Sequence, residues 1–558
     1  MLKPDEIPEI PGSGGVNLNG EEKEAVSCNG FEALYLAALD SDVTLITGVP
    51  GYPVTSLMEL FLKTDSISTK TDKVSTKADN ASTISRDSTC EARWLTNEKV
   101  ALEIALGASV SGRRALVLVK HVGMNLLSDP LITSVTHTTG AGLVIITGDD
   151  PGVKGSQNEQ DSRWYGRIAE VAVFDPVDPD AAYRALRRAY ELSEESRAPV
   201  ILRVTAGLEK TEGKILRLPP ASAPHPTFNR SIWKLRMVEK HQHFHSKTYP
   251  MLEAEAENTD LNEIREGRKK GQEAERIGII SSGFAASFVE DTLKKMDRLP
   301  EVSHLVLNLV NPLPLQKIEN FLKNKRRVLI AEESEPFIEE QIRIAGNVCG
   351  KKTGHLPYGQ ITPEDISFAL EHIEEETPSV SVDSVRAGDR KKDRASICDD
   401  CPYLPLYRFL RIPDVQIAGD MGCSVRSAPE PLAAVDVSFA LGSAISVACG
   451  FEKKGIAVIG DFALAHSGIL GLLNAANEGY EVLVLVLQNE VAAMTGGQKV
   501  PDLQKMVEAI VPDVSFFDLE RDEEKKPGPG SELSDLILKK LALPGISVIF
   551  IKCRCIKY

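Results

Sequence analysis

Two stretches, Ile456-Ala-Val-Ile-Gly-Asp461 and Leu485-Val-Leu-Gln-Asn489, decide how this chain folds. Each is an apolar run that stops at a small polar group, as a buried parallel strand stops at a ligand crevice. Between them, from about Ser467 to Asn477, lies a segment of helical length. The unit therefore reads strand, helix, strand, with Asp461 and Asn489 at the carboxyl ends of both strands. Two hard oxygen donors placed there suit Mg²⁺, which in turn holds a diphosphate. An ordinary strand–helix–strand unit with an Asp turn and an Asn turn fits the same spacing.

Outward from this unit the alternation continues. From Phe31 to about Gly207, Val43–Gly48, Ala115–Lys120, Leu143–Gly148 and Val200–Val204 read as strands, with helices at about Glu98 to Ser109 and Pro179 to Leu192. That is a doubly wound α/β layer spanning residues 26–215. It is preceded by an arm, 1–25, rich in Pro, Gly and acid and either loose or ordered only by contact. Residues 64–89 are dominated by Ser, Thr, Lys and Asp and read as a surface loop or disordered insertion. A charged, mostly helical connector (216–276) leads to a second α/β layer (277–370). A linker (371–395) then precedes the third (396–558). The fold class is α/β, with three doubly wound parallel-sheet domains.

At 558 residues the chain exceeds one core. Its 42% apolar and 26% charged fractions are those of a soluble protein. No apolar run approaches the ~18 residues that span a bilayer, and no signal-peptide core opens the chain, so a cytoplasmic protein without membrane contact is expected. A net charge of −16 argues against nucleic acid as partner.

Nine cysteines without a leader point to a reducing compartment. Cys28, Cys90, Cys349 and Cys449 stand alone and read as buried thiols. Cys398-Asp-Asp-Cys401, Cys423 and the pair Cys553 and Cys555 form a looser group. Four thiolates suit zinc and iron–sulfur equally. His241-Gln-His-Phe-His245 offers three alternate imidazoles on a strand or loop but no fourth ligand, so a solvated connector is favoured there over a metal site. His121 follows a strand end and His466 flanks the candidate Mg²⁺ loop; each is either a proton donor or a packed histidine. Glu98, behind the possible N-cap Asn97, opens a helix. On the residues alone it complements the helix dipole.

Gly460-Asp461 with Asn489 resembles the thiamin-diphosphate signature, and Asn489-Glu-Val-Ala-Ala-Met-Thr-Gly-Gly-Gln498 resembles the loop that follows it in 2-oxoacid:ferredoxin oxidoreductases. With that region, six further segments, in order, resemble the α subunits of archaeal indolepyruvate ferredoxin oxidoreductases. They are Thr96–Glu103, Lys120–Asn125, Gly148–Gly152, Ser156–Arg163, Ala331–Phe337 and Gly419–Cys423. The resemblance implies a thiamin-diphosphate-binding fold whose first domain takes the pyrimidine and whose last takes the diphosphate. It implies Mg²⁺ on Asp461, Asn489 and the Val491 carbonyl, with Gly460, Phe462, Met494, Thr495 and Gly51 as cofactor contacts. Glu98 becomes the carboxylate at N1′ of the aminopyrimidine, and His121 and His466 the candidate proton donors. Cys398, Cys401, Cys423 and Cys555 become ligands of a [4Fe–4S] cluster, with Cys553 the alternative for the last.

The implied reaction is oxidative decarboxylation of a 2-oxoacid, an arylpyruvate such as indolepyruvate, to an acyl-coenzyme A with electrons passing to ferredoxin. A smaller β subunit is the implied partner, in a hetero-oligomer built on a homodimer. Two features depart from the pattern. Val49-Pro-Gly-Tyr-Pro53 carries Tyr52 where the family has Thr, which alters the expected substrate pocket, and Phe462 stands where Gly or Ser is usual. The family's C-terminal ferredoxin-like cluster motifs are also not found before Tyr558, so electrons are expected to leave through another subunit or a soluble carrier. Two alternatives stay open. A non-oxidative thiamin decarboxylase or carboligase needs Asp461, Asn489 and Glu98 but none of the thiols, and a non-catalytic platform subunit needs only the fold.

Overall fold

Apolar runs bounded by Gly, Asp and Ser become parallel strands, and their alternating side chains feed two cores per sheet. The computed structural model describes residues 13–16, 22–71, 90–156, 158–221, 229–266, 277–297, 302–323, 325–342, 346–378, 397–520 and 531–558. The chain divides into two compact units, Met1–Gly388 and Asp389–Tyr558.

The first unit holds a seven-stranded sheet in the order Leu309–Asn311, Val173–Phe174, Val200–Thr205, Leu143–Asp149, Ala115–Lys120, Leu45–Gly48, Glu91–Trp94. All neighbours are parallel except Leu309–Asn311, which runs against Val173–Phe174. Ile46, Leu116, Leu118, Val144 and Ile146 pack one face against the helices Gly30–Asp40 and Pro179–Ser196. Leu45, Val117, Val119, Leu143 and Ile145 pack the other against Glu98–Val110 and His121–His137. Each fully buried Val, Leu or Ile contributes about 1.5–3 kcal/mol.

A five-stranded sheet follows in the same unit: Glu263–Arg265, Ser303–Leu307, Ile277–Ser282, Arg327–Ala331, Val348–Cys349. It is parallel apart from its first edge strand. A buried ion pair joins the two layers, Arg163 reaching Glu332 at 2.8 Å, while Arg203 pairs within the first layer, with Asp149 at 2.6 Å and Asp175 at 3.1 Å, and reaches across to Ser334 Oγ at 3.3 Å. Removing one partner of such a pair strands a buried charge, at a cost of about 3–5 kcal/mol.

Four expectations change. Residues of the supposed N-terminal arm are strands: Ser13–Val16 pairs with Glu22–Asn29, which pairs in turn with Glu212–Leu216. Val26 and Cys28 of the second strand and Ile215 of the third join the core. The helix Thr55–Thr71, seated on buried Leu57, Met58 and Phe61, carries its backbone into the expected insertion. Residues 72–89 lie outside the described ones. The connector is helical as expected, but its His241–His245 stretch lies in the helices Met237–His243 and Phe244–Thr248, not on a strand or loop. Glu263–Arg265, placed in the connector, is an edge strand of the second sheet.

The second unit is built on a six-stranded, wholly parallel sheet: Val437–Ser438, Ile417–Gly419, Gly455–Gly460, Val482–Gln488, Ile546–Lys552, Val514–Asp518. Ile456, Val458, Leu483 and Leu485 fill one face; Ala457, Ile459, Val484 and Val486 fill the other. Three parallel-rich α/β sheets are present, each with apolar cores on both faces, and the first two share one compact unit. Among the described residues no helix is long and apolar enough to cross a membrane.

Candidate functional site

Because every strand of the six-stranded sheet points the same way, all its carboxyl ends share one edge. Three neighbours end there in polar residues: Asp420 after Ile417–Gly419, Asp461 after Gly455–Gly460, and Asn489 after Val482–Gln488. Asp461 is 8% exposed. Its Oδ1 accepts the Phe462 N–H at 2.8 Å and its Oδ2 the Glu490 N–H at 2.6 Å. Burial pushes the carboxyl up to about 6 even against those donors. A cation beside it offsets that penalty, so the residue is suited to one. Asn489 Oδ1 accepts the Val491 N–H at 3.1 Å and keeps a second lone pair. Glu490 between them holds the left-handed φ of 64°, an uncommon setting for a side chain with a Cβ.

Val491–Ala492 then pairs antiparallel with Gln498–Lys499, and Gly496 and Gly497 turn the loop at φ 122° and 77°. The Thr495 N–H donates to the Ala492 carbonyl at 3.2 Å, and Met494 is exposed. Sequence reasoning assigns Asp420 no role. It is buried, and its Oδ2 accepts the Gly460 N–H at 3.2 Å while Oδ1 takes Gly422 N–H and Ser424 Oγ at 2.8 and 2.7 Å. It fixes the turn that carries Asp461. His466 lies in the Leu464–Gly468 turn, buried, with Nδ1 3.1 Å from Ser467 Oγ.

Five thiols gather on the same edge. The Cys401 N–H donates to the Cys398 carbonyl at 3.1 Å. The Tyr403 hydroxyl ties that turn to the end of the last strand by donating to the Ile551 and Cys553 carbonyls at 3.1 and 3.0 Å. The Cys553 N–H donates to Gln488 O at 3.1 Å, one residue before Asn489. Burial pushes Cys401 up to about 11, and Cys398, Cys555 and Cys553 nearby add to it. Burial pushes Cys423 to about 12, with Cys401, Asp420 and Cys555 adding. Cys555 thus neighbours both Cys401 and Cys423, and Cys553, also near Cys401, packs in the hydrophobic core.

Among the described residues no three of these sulfurs lie within 4.8 Å of one another. Tetrahedral zinc with Zn–S near 2.3 Å needs sulfurs about 3.8 Å apart. Of the isolated cysteines, Cys28 and Cys349 are buried as expected, but Cys90 and Cys449 are only half-buried.

The first unit gathers a second polar group. Glu98 is the first residue of Glu98–Val110 and is 5% exposed, and Asn97 Oδ1 caps that helix by accepting the Lys99 N–H at 3.0 Å. The Glu98 side chain rests on Gly123, where a Cβ would stand 2.7 Å from Glu98 Cγ and 2.9 Å from Oε1. Lys120 ends a buried strand and lies on Gly51, whose Cβ would meet Lys120 Cδ at 2.9 Å. Burial draws the Lys120 ammonium down, opposed by the carboxylates of Glu98 and Asp150. Sequence reasoning passes over Lys120 too, although it carries the same signal as Asp461, a polar residue closing an apolar strand. Tyr52, raised by burial and by Asp150, packs its ring on Gly155. His121 is fully buried, with Nδ1 3.3 Å from Gly148 O and Nε2 3.0 Å from Asn158 O, so its N–H, on either nitrogen, has a backbone carbonyl to meet.

Residues 420–519, from Asp420 through Asp461 and Asn489, match the family described as thiamine pyrophosphate enzyme, C-terminal TPP binding domain. Over 520 residues the chain is 30% identical to the indolepyruvate oxidoreductase subunit IorA of Methanothermobacter thermautotrophicus, covering 87% of this chain and 78% of that one. It is 28% identical to the subunit of the same name from Archaeoglobus fulgidus, covering 86% and 77%. A solved 2-oxoglutarate:ferredoxin oxidoreductase from Magnetococcus marinus superposes with a TM-score of 0.46 at 15% identity, over 63% of this chain and 66% of that one. The chain carries a thiamin-diphosphate-binding domain and belongs to the oxidoreductase family of indolepyruvate oxidoreductase subunit IorA.

Proposed function

We propose that this oxidoreductase, with thiamin diphosphate and Mg²⁺, decarboxylates a 2-oxoacid oxidatively, the substrate class being arylpyruvates such as indolepyruvate. Coenzyme A takes the acyl group, and electrons leave through a [4Fe–4S] cluster to ferredoxin. The observation that carries this reading is the gathering of five thiols on the sheet edge that also bears Asp461 and Asn489. When bound, thiamin diphosphate supplies the electron sink that lets carbon dioxide depart.

The chain's own residues do the rest. Asp461, Asn489 and the Val491 carbonyl offer hard oxygen donors to Mg²⁺, and Gly460, Phe462, Met494 and Thr495 border the diphosphate. Glu98 holds a proton at the pyrimidine N1′. Lys120, a buried cation beside Glu98, anchors the substrate carboxylate, and Tyr52 limits the space for its side chain. Cys398, Cys401, Cys423 and Cys555 hold the cluster. His121, fully buried between two backbone carbonyls, and His466, beside the Asp461 turn, are the candidate proton donors. A smaller β subunit completes a hetero-oligomer built on a homodimer.

The thiols favour this reading over a non-oxidative decarboxylase, which has no use for them. Anaerobic purification with the partner subunit, followed by iron, sulfide and thiamin analysis of wild type and Cys398→Ser, tests it. About four irons and four sulfides per chain are expected. In Cys398→Ser, ferredoxin reduction should be lost while thiamin is retained. An unchanged visible spectrum and turnover in the variant would favour the non-oxidative reaction. Absence of turnover with every 2-oxoacid, partner supplied, would favour a platform subunit.

A further inference from the structure

The imidazoles of the connector lie on a helix, and that changes which of them meet. Met237–His243 runs into the wider turn Phe244–Thr248 and on into Tyr249–Asn258. Residues four apart share a helical face, whereas residues two apart do not. His241 and His245 therefore face each other, with ring centroids 4.5 Å apart at 62° and Nε2 atoms 3.2 Å apart. From a separate element comes Glu170, which ends the helix Arg163–Ala169 in a left-handed conformation, φ 58° and ψ 38°, its N–H donating to Gly166 O. Glu170 Oε2 lies 3.2 Å from His245 Nε2. All three ligand atoms fall within 4.8 Å of one another, and among the described residues no other three His, Cys, Asp or Glu do so.

Two of the three edges have the spacing of a coordination polyhedron. Two donors each about 2.0–2.1 Å from a tetrahedral ion stand about 3.3 Å apart. The His241–His245 and His245–Glu170 edges are both 3.2 Å. Two imidazole nitrogens facing one another can share only one proton, so one lone pair is always directed into the gap. Phe244 and Tyr249 flank the His245 ring at 5.5 and 6.3 Å and limit its rotation. The His245 and Glu170 side chains are 39% and 38% exposed, so an ion can enter and a water can fill a fourth position.

We infer that Glu170, His241 and His245 bind one divalent transition-metal ion of the Zn²⁺, Co²⁺ or Ni²⁺ class. Two imidazoles and one carboxylate are a borderline donor set that selects these ions over Mg²⁺ and Ca²⁺, which take oxygen. The ion clasps the connector helix to the end of Arg163–Ala169, and it involves neither the thiols nor the strand-end carboxylates.

The test uses the intact chain. Zn²⁺ is titrated in competition with a chromogenic chelator into wild type, the double variant His241→Ala/His245→Ala, and Glu170→Ala. Thiols bind zinc as well, so the reading is a difference. The double variant should bind one equivalent less than wild type, and Zn²⁺ should raise Tm in wild type by more than in the variant. Glu170→Ala should weaken the same equivalent without touching the others. Circular dichroism confirms folding of variants altered at half-exposed positions. Equal stoichiometry and equal Tm increments across all three proteins would overturn the proposal. So would a Glu170→Ala that lowers Tm in chelator yet binds zinc as wild type does, since that is the behaviour of a plain His–Glu pair.

Discussion

The Asp461 and Glu98 groups are held by different means. In the second unit, Asp461 is gripped by backbone: the N–H groups of Phe462 and Glu490 reach its two oxygens, and Asp420 holds the N–H of Gly460 just before it. In the first unit, Glu98 and Lys120 are held in addition by fit, each lying on a glycine that has no room for a methyl. A backbone-held residue depends on strand register and is indifferent to most nearby side chains. A glycine-packed one depends on a single missing carbon. The contrast separates what each substitution should do.

Asp461→Ala has the largest expected effect, because it removes a metal donor and leaves the Glu490 and Phe462 N–H groups without their acceptor. Thiamin diphosphate should no longer survive gel filtration with the protein, and turnover should fall by about a thousand-fold or more. Retention of stoichiometric cofactor would show that the strand-end carboxylate does not hold it. Glu98→Gln comes next. It keeps the shape on Gly123 but cannot serve as a carboxylate, so turnover should drop by about 10²–10⁴-fold with cofactor content unchanged. Loss of cofactor in that variant would mean that Glu98 binds rather than activates. Lys120→Met should raise KM for the 2-oxoacid more than it lowers kcat, by about ten-fold or more, if the buried ammonium meets the substrate carboxylate. An unchanged KM would remove Lys120 from that role.

What is legible in the sequence follows the same division. Strand tips of the second unit are written locally: an apolar run, then Asp or Asn. Asp420 and Lys120 carry the same local mark, yet nothing in one sequence says which strand ends share an edge. Glu98 is readable as a helix start, but its seat on Gly123 depends on another helix. The strand Glu22–Asn29 escapes a local reading because its neighbour, Glu212–Leu216, is far along the chain, and the Pro and Gly around it suggest a loose arm. The histidines mislead for a physical reason of their own. Alternation by two reads as a strand or loop, whereas on a helix the pair that matters is four apart, and its third donor, Glu170, belongs to another helix.

The smallest effect sharpens the contrast most, because it compares two glycines by one added methyl. At Gly123 a Cβ would sit 2.7 Å from Glu98 Cγ, and the helix leaves that side chain little room to yield. Gly123→Ala should cost about 1–3 kcal/mol in stability through overpacking, and should reduce turnover by shifting Glu98. At Gly460 the only atom within 4 Å of a built Cβ is Asp420 Oδ2, at 4.0 Å, and φ is −75°, which any residue adopts. Gly460→Ala should therefore leave stability within about 0.5 kcal/mol of wild type. Denaturant midpoints of the two variants, measured side by side without cofactor, decide the matter. Equal losses would mean that the strand-end turn is also held by fit, and the distinction between the two groups would fail.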